Sequence, residues 1–137
     1  MDLQGIFAGC TAKELLLEEP MAKHTSFRIG GPADVLAQPG NEAELAALLK
    51  RAAHHAVPVT LVGNGSNLLV RDKGIRGLVI KLSNLFSSIT VAGNVLTFGS
   101  GISLAMASKK AASLSLSGLE FAVGIPGTIG GAVYMNA

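Results

Sequence analysis

The chain has no tryptophan, a single tyrosine and only 4% aromatic residues overall. Proteins that hold single-stranded nucleic acid stack its bases on aromatic platforms, and there is little here from which to build one. Charge is also scarce: 15% of residues are charged, against roughly 25% in ordinary soluble domains. The net charge is +2, and Lys50-Arg51, Arg71, Lys73, Arg76 and Lys109-Lys110 are scattered rather than massed. A nucleic-acid footprint needs a concentrated basic face, so no nucleic-acid partner is expected. The lone Cys10 rules out an internal disulfide framework and fits a reducing compartment. No basic segment leads into an apolar core near Met1, so no secretory signal is visible. The uncharged stretch from Phe121 to Ala137 is broken by Pro126 and four glycines, and it falls short of the ~20 apolar residues of a spanning helix. No membrane partner and a cytoplasmic location are expected.

What is abundant is apolar character, 49% of 137 residues, together with 17 glycines. Such a chain can bury a sizeable core in one domain or two small lobes. The low charge suggests a buried cofactor or apolar surface that further protein covers. Leu3, Ile6, Phe7 and Cys10 recur at helical spacing. Leu15 to Leu17 read as a brief extended segment, and Thr25 to Ile29 alternate before the turn signal Gly30-Gly31-Pro32. Val35-Leu36-Ala37 is a short strand closed by Pro39-Gly40. Asn41 can then cap a helix, Glu44 serves as its capping-box partner, and Leu45, Leu48, Leu49 and Ala52 form the buried stripe. Val59 to Val62 reads as a buried strand. Strand, helix and strand in that order make a β-α-β unit and a small parallel sheet.

Further short strands are expected at Leu68-Leu69-Val70, Leu78-Val79-Ile80, Ser88 to Val91 and Val95 to Phe98, the last two joined by Gly93-Asn94 as a hairpin. Ile102 to Leu116 reads as a helix with Leu104, Ala107, Ala111 and Leu114 on one face. The expected organisation is α+β and two-lobed. Residues 1–74 form a lobe with the β-α-β unit, residues 75–137 a mainly antiparallel lobe with helices, and the boundary lies near Asp72 to Gly77. The chain stops at Met135-Asn136-Ala137, just after an apolar helix start and with no helix-stop signal in view, and so reads as a fragment.

Two glycine-rich stretches carry the chemistry. Gly63-Asn64-Gly65-Ser66-Asn67 follows the strand Val59 to Val62, where glycine lets backbone N–H groups approach an anion closely. The lysine of a Walker loop is absent, and the spacing is not that of a Rossmann fingerprint. The plain alternative is an ordinary tight turn. Gly124-Ile125-Pro126-Gly127-Thr128-Ile129-Gly130-Gly131 opens a helix near Thr128, whose free N–H groups and dipole would favour an anion or an electron-rich ring oxygen. There the alternative is close helix packing without a ligand. Two such loops suggest one large phosphate-bearing ligand, a nucleotide cofactor. Arg28 could pair with a phosphate or hold loop carbonyls, and the structural use is the favoured one. His54 and His55 suit a helix C-terminus, Cys10 suits a core, and Ser66 has no evident base. No catalytic pair, triad or metal site emerges.

The ordered trio of His24-Thr25-Ser26-Phe27-Arg28-Ile29-Gly30-Gly31-Pro32-Ala33-Asp34, Gly63 to Val70 and Gly124 to Ala137 closely resembles the bacterial UDP-N-acetylenolpyruvoylglucosamine reductases, also called UDP-N-acetylmuramate dehydrogenases. The resemblance runs from about Leu15 to the last residue. It implies a two-lobed FAD-binding module of the vanillyl-alcohol-oxidase (PCMH) type. It also implies hydride transfer from NADPH through FAD to a UDP-sugar enolpyruvate in peptidoglycan precursor synthesis. By motif position, Gly63, Asn64, Gly65, Ser66, Asn67 and Leu68 would cradle the FAD pyrophosphate. Ile125, Pro126, Gly127, Thr128, Gly130, Gly131 and Ala132 would line the flavin and diphosphate on the other side. The family's chains run much longer. Their substrate lobe with its proton donor, and the arginine that follows their counterpart of Asn136-Ala137, have no counterpart here. The expectation is therefore a piece that lacks reductase activity alone and holds FAD weakly. The alternatives are an FAD subunit of another oxidoreductase, or a non-catalytic nucleotide-binding remnant.

Overall fold

Pro39-Gly40 ends one strand and Asn41 starts a helix, and this junction organises the first half of the chain. The computed structural model describes residues 1–82 and 85–137, which fall into two compact units, Met1–Leu82 and Ser83–Ala137. In the first, α1 (Leu3–Phe7) is capped by the Asp2 carboxylate, which accepts from the Gly5 N–H at 2.9 Å. Strands β1 (Leu16–Pro20) and β2 (Pro32–Ala37) follow, then α2 (Glu42–His54), β3 (Val59–Val62) and β4 (Ile75–Lys81). The sheet order is β1-β2-β4-β3. β1 runs antiparallel to β2, while β2 and β3 both run parallel to β4.

Alternation along the strands builds two cores. Val35, Ala37, Leu78 and Ile80 pack with Phe7, Cys10, Leu48, Ala52 and Val57 on one face of the sheet. Ala33, Leu36, Val62 and Val79 pack with Met21 and Val70 on the other. Residues 77–80 of β4 are buried without interruption, as expected of a central parallel strand covered on both faces. This corrects the expected boundary near Asp72 to Gly77: β4 fills the middle of the first sheet, and the division comes after Leu82.

Two other expectations change. Leu68-Leu69-Val70 is not a strand; Val70 enters the second core cluster while Leu69 stays exposed. Packing of Val70 and, in part, Leu68 into that core, rather than a hydrogen-bonded ladder, fixes the segment. Thr25 to Ile29 forms a turn instead of an alternating strand. Arg28 N–H donates to the Thr25 carbonyl at 3.2 Å and the Thr25 hydroxyl donates to the Ile29 carbonyl at 3.1 Å.

In the second unit, β5 (Ile89–Ala92) and β6 (Val95–Phe98) form an antiparallel hairpin across Gly93-Asn94. Helix α3 (Leu104–Ser113) is capped by the Ser103 hydroxyl, which accepts from the Met106 N–H at 3.1 Å. It buries Leu104, Ala107, Ser108 and Ala111. It is shorter than the expected Ile102 to Leu116, because Ser103 is its cap and Leu114 already lies past its end, exposed. A 3-10 turn at Glu120–Gly124 precedes α4 (Ile129–Met135). Asn136 ends α4 in the left-handed conformation, a recognised helix terminator. The stop signal that the sequence reading did not find is thus present. Among the described residues no helix is long and apolar enough to cross a membrane.

The start of α2 shows how side chains fix the loops around it. Asn41 caps as expected, its side chain accepting from the Glu44 N–H at 2.9 Å. The Glu44 carboxylate does not return to the cap residue. It accepts instead from Gly40 N–H at 2.7 Å, Ala12 N–H at 3.2 Å and the Thr11 hydroxyl at 3.0 Å, tying residues 11–12 to the helix start. These bonds, that from Gly40 first, hold the Glu44 carboxyl below its ordinary 4.5. A carboxyl depressed in the folded chain stabilises it above the unfolded-chain value, and the benefit fades as pH falls through the folded-state value. Glu44→Gln is therefore expected to lower the thermal midpoint at pH 7, with the gap to the parent narrowing below about pH 4.5. Melting curves of both proteins between pH 3 and pH 7 check this.

Candidate functional site

Strand β3 runs parallel to its neighbour, and the C-terminal edge of such a sheet is where ligands of open α/β sheets bind. Its last residue, Val62, is buried, and the chain then enters residues 63–68. Gly65 is buried with φ +68°, and a Cβ there would overlap the His24 carbonyl oxygen. The Gly65 carbonyl accepts from the Ser26 N–H at 3.0 Å. Two backbones thus lie against each other with no space for a side chain between them. Gly63, Ser66 and Leu68 are half-buried, and Asn64 and Asn67 are exposed. Among the described residues, the N–H groups of Gly63, Asn64, Gly65 and Asn67 donate to no acceptor of the chain. A buried donor without an acceptor, as at Gly65, is unusual in native proteins, while Asn64 and Asn67 are open to solvent. Closely spaced amides of this kind form an anion-binding concavity.

Beside this loop lies a polar cluster that the sequence reading missed. Lys81 ends β4 directly opposite Val62, and its Nζ stands 3.1 Å from His24 Nδ1. His24 Nε2 is 2.9 Å from Glu19 Oε1, and Lys23 Nζ is 3.4 Å from Glu19 Oε2. An ammonium can only donate, so His24 Nδ1 accepts and Nε2–H donates to Glu19. The bond from His24 is the largest influence on Glu19 and, against the opposing effect of burial and with help from Lys23, holds its carboxyl below the ordinary 4.5. No periodicity or spacing marks this group, because Lys81 and His24 are 57 residues apart.

The second glycine stretch is differently built. Thr128 caps α4, its hydroxyl accepting from the Gly131 N–H at 3.2 Å, and the helix starts where the sequence placed it. Its amides are not free, however. Ile129 N–H donates to the Ile102 carbonyl at 2.8 Å, Gly130 N–H to the Ser100 carbonyl at 2.9 Å, and Ala132 N–H to the Thr128 carbonyl at 2.9 Å. The segment 100–104 backs against the helix start, bridging at Ser103 and Thr128, and its carbonyls fill the positions an anion would take. A Cβ on Gly130 would come within 3.0 Å of Ser100 Cβ, which is the close packing weighed as the alternative reading. Ile125 and Gly127 are half-buried, Pro126 is exposed, and Ala132 is half-buried. Gly127 and Thr128 keep N–H groups that donate to no acceptor among the described residues.

Gly65→Ala and Gly93→Ala separate close approach from backbone conformation, since both glycines have positive φ but only Gly65 has neighbours within 4 Å of a Cβ. Denaturant unfolding is expected to show the left-handed penalty of about 1–2 kcal/mol at Gly93. At Gly65 about 1–3 kcal/mol of overpacking is added. Equal losses at the two sites would contradict the contact with His24.

Residues 33–137 match the family described as FAD binding domain. The UDP-N-acetylenolpyruvoylglucosamine reductase of Alkaliphilus oremlandii is 50% identical over 123 residues, covering 90% of this chain and 40% of that protein. The reductase of the same name from Levilactobacillus brevis is 48% identical over 137 residues, covering all of this chain and 45% of its own. The crystal structure of UDP-N-acetylenolpyruvylglucosamine reductase from Thermus caldophilus superposes with a TM-score of 0.71 at 40% identity, over 90% of this chain and 42% of that one. The chain therefore spans about two fifths of the length of these relatives. With parallel strands in one unit, an antiparallel hairpin in the other and helices in both, the chain belongs to the FAD-binding domain family and has the α+β fold of its PCMH-type module.

Proposed function

We propose that this chain is the FAD-holding part of an NADPH-dependent reductase that converts UDP-N-acetylglucosamine enolpyruvate to UDP-N-acetylmuramate for peptidoglycan. The observation that carries this reading is the set of unclaimed amides at Gly63, Asn64, Gly65 and Asn67, in a chain whose relatives bear that reductase's name. A diphosphate fits such a loop. Its oxygens accept several short N–H bonds at once, and no side chain at Gly63 or Gly65 stands in the way. Bound FAD supplies the hydride chemistry. The protein's work is to hold the diphosphate at residues 63–68 and to line the flavin with Ile125, Pro126, Gly127 and Thr128. Gly130, Gly131 and Ala132 keep the helix start narrow but donate internally, so they shape the wall rather than bind phosphate.

Neither 63–68 nor 124–132 contains a titratable side chain. The proton that completes reduction of the enolpyruvyl double bond needs a positioned acid, and that acid and the UDP-sugar contacts come from outside these loops. A cytoplasmic setting, where NADPH and UDP-sugars meet, suits this role. Titrating the chain with FAD is expected to quench flavin fluorescence and raise the thermal midpoint. FAD at 100 times its dissociation constant should stabilise the chain by about 2.7 kcal/mol. With NADPH and UDP-N-acetylglucosamine enolpyruvate added, the FAD-loaded chain alone is expected to form no UDP-N-acetylmuramate, because the positioned acid lies outside these loops. The absence of both quenching and a thermal shift on adding FAD would overturn the reading in favour of a remnant that has lost its cofactor.

A further inference from the structure

The Thr25–Ile29 turn is not a passive neighbour of the amide loop. Ser26 N–H donates to the Gly65 carbonyl at 3.0 Å, and the space a Gly65 side chain would need is filled by the His24 carbonyl and the Thr25 backbone. The turn is itself braced, with Thr25 buried and bonded through its hydroxyl to the Ile29 carbonyl. Arg28, which closes the turn through its N–H bond to the Thr25 carbonyl, sits at φ +55°, a conformation that residues other than glycine, asparagine and aspartate rarely adopt and that Glu18, Ala56, Phe86, Ser115 and Asn136 share in this chain. Glycine would be the unstrained choice there, yet the chain carries a guanidinium. That guanidinium is exposed and holds no carbonyl or carboxylate among the described residues. Arg76 instead pairs with Asp34 and donates to the Pro32 and Lys73 carbonyls, whereas Arg51 and Arg71 share with Arg28 the lack of a side-chain partner among the described residues. The structural use favoured for Arg28 from sequence is therefore not the one observed. The turn also precedes the residues matched to the FAD-binding family, 33–137.

We propose that the Thr25–Ile29 turn is a clasp on the diphosphate held at residues 63–68, with Arg28 as its cationic contact. The inference rests on the diphosphate reading of that loop. The amides at 63–68 supply directional donors but no net charge, whereas a dinucleotide diphosphate brings negative charge that they leave uncompensated. Guanidinium matches phosphate oxygens in a bidentate fork. Mounting it on a turn bonded to the loop itself fixes its distance from the anion more tightly than a separate element would.

Arg28→Gly tests this without risking the fold, because glycine accepts φ +55° and only the cation is lost. In FAD titrations of the 137-residue chain, Arg28→Gly is expected to weaken binding about tenfold and to flatten its dependence on salt. Arg28→Lys, which keeps the charge but not the bidentate fork, should recover part of the loss, and the thermal midpoint without FAD should not fall in either variant. An Arg28→Gly affinity within twofold of the parent's, or a loss that lysine does not recover, overturns the clasp while leaving the loop reading intact. If the parent chain binds no FAD at all, both fall together.

Discussion

The contact on which the site depends is that of Gly65 with the His24 carbonyl and the Ser26 N–H. Gly65 closes the distance between two backbone segments that no residue with a Cβ would allow, and the hydrogen bond from Ser26 locks them together. The result is a loop anchored to the turn through the Gly65 carbonyl, in which the N–H groups of Gly63, Asn64, Gly65 and Asn67 donate to no acceptor among the described residues. Around this contact the fold supplies rigidity. The end of β3 is held in parallel register beside β4, and the core on that face is closed by Met21 and Val70. Lys81, His24 and Glu19 stake the neighbouring segment with charge-assisted bonds.

The two glycine-rich stretches look alike in composition and do opposite things with their main chain. In the first, glycine brings a backbone carbonyl close, and the N–H groups of Gly63, Asn64, Gly65 and Asn67 find no acceptor among the described residues. In the second, glycine admits the segment 100–104, whose carbonyls accept from the Ile129 and Gly130 N–H groups.

What the sequence made legible was local chemistry. The Asn41 cap, the Gly93-Asn94 hairpin and the Thr128 helix start each depend on residues within a few positions, and each appears in the structure. What it hid was non-local. Nothing near residue 75 announces that β4 slips between β2 and β3, so the unit boundary was placed too early. The run Leu68-Leu69-Val70 reads equally as a strand or as a loop pinned by one buried valine. The Glu19–His24–Lys81 cluster joins three elements, and the occupancy of the α4 amides depends on carbonyls of residues 100 and 102 that no local pattern could reveal.

The central claim is that main-chain amides at residues 63–68 receive the diphosphate while those at the start of α4 do not. Amide chemical shifts of uniformly ¹⁵N-labelled protein, recorded with and without FAD, test it most directly. The account predicts the largest changes, characteristic of new hydrogen bonds to phosphate, at Gly63, Asn64, Gly65 and Asn67. Ile129, Gly130 and Ala132 should keep the signatures of their internal bonds. Unmoved resonances at residues 63–68, or changes concentrated at residues 129–132, would contradict it.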